Sequence, residues 1–573
     1  MKHVFPKIAC AIAVMGIALI ILESTAESGK VLKIDFKSPV IENCDGAFSF
    51  DLQSLNVGPA NSMTLLSYVR AIDAAAVDPS INAIYMTPDN IDAGISQMEE
   101  IRNALLRFRE SGKQIISYSE DFSNGTCYLA TVANNVVISP TTENYLTGLS
   151  SMQYFLKDLI DELGIDVQLI RHGKYKSAGE MFTKNDISPE NRKQYEELLN
   201  SIWGSWTADI AASRGFTEDQ LNGWINNLEL VNPESLLERG LVDNLMYKDQ
   251  LEDSICKLFS SEDLSFVRFV NISKYATKLK KGSKKAKIAV IYADGEIVTE
   301  GSDEDVVGSD LAKEIRKLRK DKSIKSVVFR VNSPGGSVQA SELIKREMDL
   351  LKEVKPVIVS FGDYAASGGY WISANANKIF TDKSTLTGSI GCFSLVPSFG
   401  DAVREKTHIN MVNIGTNSHS DMMQGMRKLD ESEVGYFQKQ IEEVYDDFVS
   451  LVSDGRNIDK SFVDSIGQGR VWSGADAINI KLADEIGGLI DAIAFAADTV
   501  GLSDYRLLER PYVESGIARY LTSDMDLDED LLSSCNTKYP LLRIKQYFPV
   551  LSYSKHLTAP TNMVRLPGVI VIE

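Results

Sequence analysis

The feature that most constrains this chain is that it reads the same way twice. Shifted by about 242 residues, Val359–Phe380 (VSFGDYAASGGYWISANANKIF) falls on the stretch around Ile116–Ile138 (ISYSEDFSNGTCYLATVANNVVI), and Tyr370 lands on Tyr128. Leu386-Thr387-Gly388-Ser389 then meets Leu146-Thr147-Gly148-Leu149 after a slip, and the first offset returns where Gly415 lands on Gly173. Ordered matches at near-constant spacing indicate tandem duplication of a unit of roughly 220 residues. Whatever fold one half adopts, the other must adopt as well.

Each unit alternates strand-like and helix-like runs. In the second copy, strands are expected over 288–292, 326–331 and 356–361, with helices over about 309–320 and 337–352. That rhythm predicts βαβ units and a largely parallel sheet. Between the copies, the lysine-rich, apolar-poor segment Thr277–Lys287 reads as a linker. The 573 residues are enough for three to four domains at about 150 each. Sixty basic against 79 acidic residues leave a net charge of −19, which repels phosphate backbones and argues against nucleic acid as a partner. Six scattered cysteines form no CxxC pair and the five histidines no HExxH, so neither a zinc site nor a disulfide scaffold is indicated.

The N-terminus carries an apolar run, residues 8–22 (IACAIAVMGIALIIL), behind Lys2 and Lys7. The basic flank stays in the cytoplasm, so the body is expected on the far side of the membrane. At 1.5 Å per residue the run reaches only about 22 Å, short of a roughly 30 Å hydrocarbon core unless Val4 and Phe5 join it. A retained anchor therefore competes with a cleaved signal, for which Ser24-Thr25-Ala26 supplies small residues.

Chemistry is expected where the copies differ. Ser333-Pro334-Gly335-Gly336-Ser337 follows a strand in the second copy, where the first has Asp89–Gly94. Two glycines let backbone N–H groups approach a developing negative charge, although a plain strand-to-helix turn with Ser337 as N-cap explains the same residues. Ser367 lies among small residues at the next strand-to-helix junction, where Gly125 stands in the first copy. A nucleophile needs such exposure at a sharp turn, and an N-cap serine is again the plainer alternative. A serine nucleophile needs a base, and no histidine lies in an informative motif. His172 is the nearest, in Arg171-His172-Gly173-Lys174-Tyr175-Lys176, and Lys176 corresponds to Ser418. One half thus keeps a serine and glycine donors while the other keeps a lysine, a residue that by itself is ordinarily a solvated surface charge.

On Gly173-Lys174-Tyr175-Lys176-Ser177-Ala178 and Asp363-Tyr364-Ala365-Ala366-Ser367-Gly368-Gly369-Tyr370-Trp371, the chain resembles the signal peptide peptidase A family, also called protease IV, in its long duplicated form. The similarity runs over roughly residues 30 to 500. It implies an α/β fold of two tandem Clp-protease/crotonase-like domains, built of ββα superhelical units, after an N-terminal transmembrane helix. The expected division is 1–29 for the cytoplasmic end and signal anchor, 30–275 for the lysine-bearing domain, 276–287 for the linker, 288–501 for the serine-bearing domain and 502–573 for an extension. The resemblance further implies Ser367 as nucleophile, Lys176 as general base, Ser389 as the residue orienting the lysine, and the N–H groups of Gly336 and Gly368 as an oxyanion hole. It implies no cofactor and no metal, signal peptides as substrates, a homo-oligomer, a tetramer for the duplicated form, and a single-pass protein of the inner (cytoplasmic) membrane with its body outside. Gly179-Glu180-Met181 departs from the familiar continuation of the lysine motif, where a β-branched residue and a Glu-Pro step are usual.

A general-base lysine must lose its proton near neutral pH, which asks for a pKa lowered by roughly 3 units, about 4 kcal/mol. Burial against apolar walls is the expected means. Two other classes stay open on the residues alone: a membrane-bound scaffold without catalysis, and a crotonase-type acyl-CoA enzyme. Retention of both Ser367 and Lys176 argues against the first, and export argues against the second. The tail is uninformative beyond an acidic stretch, Asp524–Asp530, that reads as a solvated loop.

Overall fold

The computed structural model describes residues 29–43, 48–51, 56–59, 62–279, 282, 285–302, 304–511 and 562–565. The apolar run 8–22 and the acidic stretch Asp524–Asp530 lie outside them. Among the described residues no helix is long and apolar enough to cross a membrane.

Two sheets carry the duplication. The first runs in the order Asn244–Leu245, Asn135–Tyr145, Gln114–Ser123, Ile81–Thr87, Lys30–Asp35, Arg268–Asn271, all neighbours parallel. The second has Leu386–Gly388, Val357–Ala366, Ile324–Ser333, Lys287–Asp294 and Arg506–Arg510 in the same sense, so it reaches beyond residue 501. Lys378–Thr381 also pairs with Val357–Ala366, and Glu485–Ile486 pairs with Lys378–Thr381. Val471–Ser473 closes that edge antiparallel. The central strands are continuous apolar runs, as parallel strands covered on both faces require: Ile288, Ala289, Val290, Ile291 and Ala293 are all wholly buried. Helices Leu65–Val77 and Ile95–Glu110 pack on the first sheet, and helices Gly308–Lys320 and Val338–Lys352 on the second.

A third sheet joins the copies and frames the site. Its order is Val306–Val307, Ile297–Val298, Gly335–Ser337, Asn562–Arg565, Phe393–Ser398, Asp166–Arg171. Asp166–Arg171 comes from the first copy and pairs antiparallel along the whole of Phe393–Ser398 from the second. The copies are also locked by buried charge. Arg330 ion-pairs with Glu42 at 2.9 Å and Glu100 at 2.8 Å. Ser96 N–H donates to Asp363 at 2.7 Å. Glu99 accepts from the Lys383 and Ser384 N–H groups at 3.0 and 3.1 Å. The first turns of helix Ile95–Glu110 thus plug directly into loops of the second copy, and a buried ion set of this kind is costly to break from one side.

Candidate active site

Ser333–Ser337 carries the chain from a central strand into a helix. Gly336 has φ +150°, and a Cβ there would lie 2.0 Å from the Ile297 carbonyl oxygen, so only glycine fits. Ser337 caps helix Val338–Lys352 by accepting from Ala340 N–H. The plain N-cap reading therefore holds for Ser337, and it leaves Gly335 and Gly336 held rigidly beside the next junction.

At that junction Ser367 connects strand Val357–Ala366 to the short helix Gly368–Trp371 with φ 57° and ψ −115°. This is a strained conformation for a serine, held because its N–H donates to Gly388 O at 2.8 Å and its carbonyl accepts from Trp371 N–H. Its hydroxyl makes no capping bond, so it is available for chemistry. Gly368 opens the helix, where the N–H has no intrahelical acceptor. A Cβ on Gly368 would come 3.1 Å from Gly336 N, which puts the two glycines side by side.

Lys176 reaches this point from the first copy, on the loop after Asp166–Arg171. Its Nζ donates to Ser367 Oγ at 2.7 Å and to Ser389 Oγ and Ser389 O at 3.0 Å each. All three residues are wholly buried. Burial pushes the lysine amine down to about 7; the Cys392 side chain beside it would oppose this only as a thiolate, and burial pushes that thiol up to about 12. His172 does not take this place: its ring stacks on Tyr445 with centroids 3.8 Å apart.

Sequence reasoning missed what holds the lysine. Arg171 Nη1 donates to the Lys176 carbonyl at 2.8 Å and pairs with buried Glu180 at 3.3 Å, so the residue after the motif's departure at Gly179 is a structural anchor. From the second copy, the turn Gln468–Arg470 braces both sides. Gln468 O accepts from Tyr175 N–H at 2.9 Å, and Arg470 O accepts from Ser389 N–H at 2.7 Å. Gly469, at φ +79°, has room for no Cβ, which would sit 2.5 Å from the Lys176 Cβ. In the sequence this turn is marked by the glycine at 469, a weak signal.

Residues 107–260 and 349–503 match the profile of Peptidase family S49, one stretch in each copy, and 280–384 match that of Clp protease. The chain belongs to peptidase family S49. It is 33% identical to Protease 4 of Haemophilus influenzae over 447 residues, 75% of this chain and 72% of that one. It is 34% identical to Protease 4 of Salmonella typhi over 500 residues, covering 85% and 80%. The chloroplastic serine protease SPPA of Arabidopsis thaliana is 32% identical over 440 residues, 74% of this chain and 64% of that one. The duplicated unit is thus the S49 unit, and the chain is a serine-type peptidase, which sets aside the scaffold and acyl-CoA readings.

Among the described residues one group, His419, Asp430 and Glu433, has metal-ligand spacing. Glu433 already accepts from the Arg427 guanidinium through both oxygens, at 2.7 Å each, so a fixed cation occupies the ligand set.

Proposed function

We propose that this S49 peptidase is a membrane-associated endopeptidase that cuts short hydrophobic peptides, chiefly cleaved signal peptides, through a dyad of Ser367 and Lys176. What carries the reading is the 2.7 Å bond between a buried lysine amine and a serine hydroxyl that caps nothing. Neutral Lys176 takes the Ser367 proton as Oγ attacks the scissile carbonyl carbon. The resulting oxyanion sits between the Gly336 and Gly368 N–H groups. Lys176 returns the proton to the leaving amine as the C–N bond breaks, leaving an acyl ester on Ser367. It then takes a proton from water as the hydroxide adds to the acyl carbon, and gives that proton to Ser367 Oγ as the ester C–O bond breaks, which releases the acid and restores the dyad. Ser389, bonded to Nζ, fixes the amine's direction throughout. The chain needs no metal or cofactor for any of these steps.

The third sheet supports a peptide substrate. Asn562–Arg565 lies between Gly335–Ser337 and Phe393–Ser398, antiparallel to both, so the gap beside the glycines has the width of one extended chain. The reading includes an N-terminal anchor in the inner membrane, a body outside it, and a homotetramer. The test is hydrolysis of a fluorogenic leucine-containing peptide by the full chain in detergent, beside Ser367→Ala and Lys176→Ala. Each variant is expected to lose at least about 10³-fold in kcat with its oligomeric mass unchanged. Near-normal turnover by Lys176→Ala would place the base elsewhere.

A further inference from the structure

By the offset that sets Tyr370 on Tyr128, helix Lys460–Ile466 of the second copy is the counterpart of helix Glu218–Asn226 of the first, Lys460 falling on Glu218. The first-copy helix runs on to Asn226. Its counterpart stops at Ile466, and the residue that falls on Asn226 is Gln468, turned to φ 57°. A side chain at positive φ is strained and persists only where its surroundings hold it. The unwound end delivers what a continued helix could not: Gln468 O to the Tyr175 N–H, Gly469 against Lys176, and Arg470 O to the Ser389 N–H.

Tyr445, in the middle of helix Glu431–Arg456, supplies the hold. It is buried, and its hydroxyl accepts from the Gln468 N–H and from Gln468 Nε2, at 3.2 Å each, while donating to Asp464 Oδ1 at 2.6 Å. The same ring lies flat against His172, on the loop that carries Lys176. The first copy has half of this arrangement. At the same offset Trp203 stands for Tyr445 and Asn222 for Asp464, and the indole N–H donates to Asn222 Oδ1 at 2.8 Å. An indole only donates, whereas a phenol donates and accepts at once. The two copies therefore differ by one acceptor, and Gln468 uses it.

We propose that Tyr445 is a positioning residue for the base: its hydroxyl keeps the Gln468–Arg470 turn in the unwound shape that walls in Lys176 and aligns the amine with Ser367. It touches neither substrate nor the reacting atoms, and the proposal rests on the dyad reading above. Without the acceptor the turn relaxes away from Lys176, water reaches the amine, and the ammonium form is favoured again. Burial and the bond to Asp464 push the phenol above its ordinary pKa, so its own proton stays in place under assay conditions. The ionisable groups it touches, Asp464 and His172, are unchanged in the variants below.

Tyr445→Phe keeps the ring against His172 and removes the hydroxyl. Tyr445→Trp puts in the residue of the first copy, which donates but does not accept. Both are read as pH–rate profiles of kcat and KM on a fluorogenic leucine-containing peptide, with the full chain in detergent and Lys176→Ala alongside. Each is expected to lose about 10-fold in kcat at pH 7, to keep KM within about twofold, and to move the half-plateau pH up by about one unit. Activity then returns toward wild type near pH 9, which also shows that the variants are folded. A profile that keeps the wild-type midpoint, or a loss that high pH does not relieve, would overturn the assignment while an inactive Lys176→Ala leaves the dyad standing. Near-normal turnover by Lys176→Ala would overturn the dyad and this proposal together.

Discussion

The same strand-to-helix junction occurs in both copies and is put to different use. In the first copy, strand Gln114–Ser123 ends at Ser123, whose hydroxyl accepts from Thr126 N–H and starts helix Asn124–Ala130 in an ordinary capped way. In the second, Ser367 stands at φ 57°, caps nothing, and faces an amine from the other half. The difference is one of backbone strain kept on one side only. A capped turn relaxes the chain and uses up its hydroxyl, whereas the strained turn leaves the hydroxyl free. The lysine shows the reverse asymmetry. The first copy's loop is buried against the second, while the second copy's equivalent, around Ser418, is exposed. Duplication let each half give up a different part of one site.

The sharpest way to break this comparison is to remove the buried amine. In the folded chain Lys176 titrates at about 7, against an ordinary 10.5. Activity is therefore expected to rise with pH and reach half its plateau near 7, in a pH–rate profile of kcat/KM. The stability consequence has a definite sign. Between about pH 7 and 10.5 the unfolded chain binds a proton that the folded chain does not, so stability rises with pH across that window. The full span is worth roughly 5 kcal/mol. Lys176→Met cannot bind the proton in either state and lacks this slope. Measured by denaturant unfolding, wild type is expected to gain on Lys176→Met steadily from pH 7 to 10. A constant difference between the two would mean that the amine is charged in the folded protein.

Much of the fold was legible because it rests on local pattern. The run expected as a strand at 288–292 is Lys287–Asp294, and the helix expected over about 309–320 is Gly308–Lys320. The strand expected at 356–361 continues to Ala366, because Tyr364–Ala366 gain partners in Leu386–Gly388, a pairing that no local signal announces. Of the residues that the family resemblance named, Ser367 and Ser389 both lie within hydrogen-bond reach of the Lys176 amine. The parts that hold them, Arg171 with Glu180 and the turn Gln468–Arg470, act through backbone atoms across a fold boundary. Such contacts leave no residue-type signature beyond a glycine and a buried charge.

That turn gives the next test. Gly469→Ala drives a Cβ toward the Lys176 Cβ and places a side chain at φ +79°. The clash moves the Lys176 amine without touching Ser367, and in the proposed dyad displacement by a fraction of an ångström spoils an aligned proton transfer. A fall in kcat of about 10- to 100-fold is expected, with the serine still labelled by an active-site fluorophosphonate, more slowly. Unchanged kcat would show that the second copy does not position the lysine.

The smallest effect separates the copies at their buried seam. Asn135–Tyr145 runs through the first copy unbroken, whereas the second copy breaks between Lys378–Thr381 and Leu386–Gly388, and Asp382 sits in the break. Its carboxyl is wholly buried and neither oxygen has a hydrogen-bond partner. Burial, with Glu100 and Glu99 nearby, raises its pKa well above the ordinary carboxylate value. The folded chain therefore holds a proton on Asp382 at pH values where the unfolded chain has released it. Stability then falls as pH rises above about 4, by up to about 1.4 kcal/mol per pH unit while that mismatch lasts. Asp382→Asn keeps the shape of the protonated acid and has no proton to lose. It is expected to match wild type in melting temperature near pH 4 and to exceed it as the pH rises from there, with peptidase activity unchanged. A variant less stable than wild type across that whole range would mean that Asp382 is ionised in the seam, held by Arg330 as a further acceptor, and that the join between the copies is a network of charges without a stored proton.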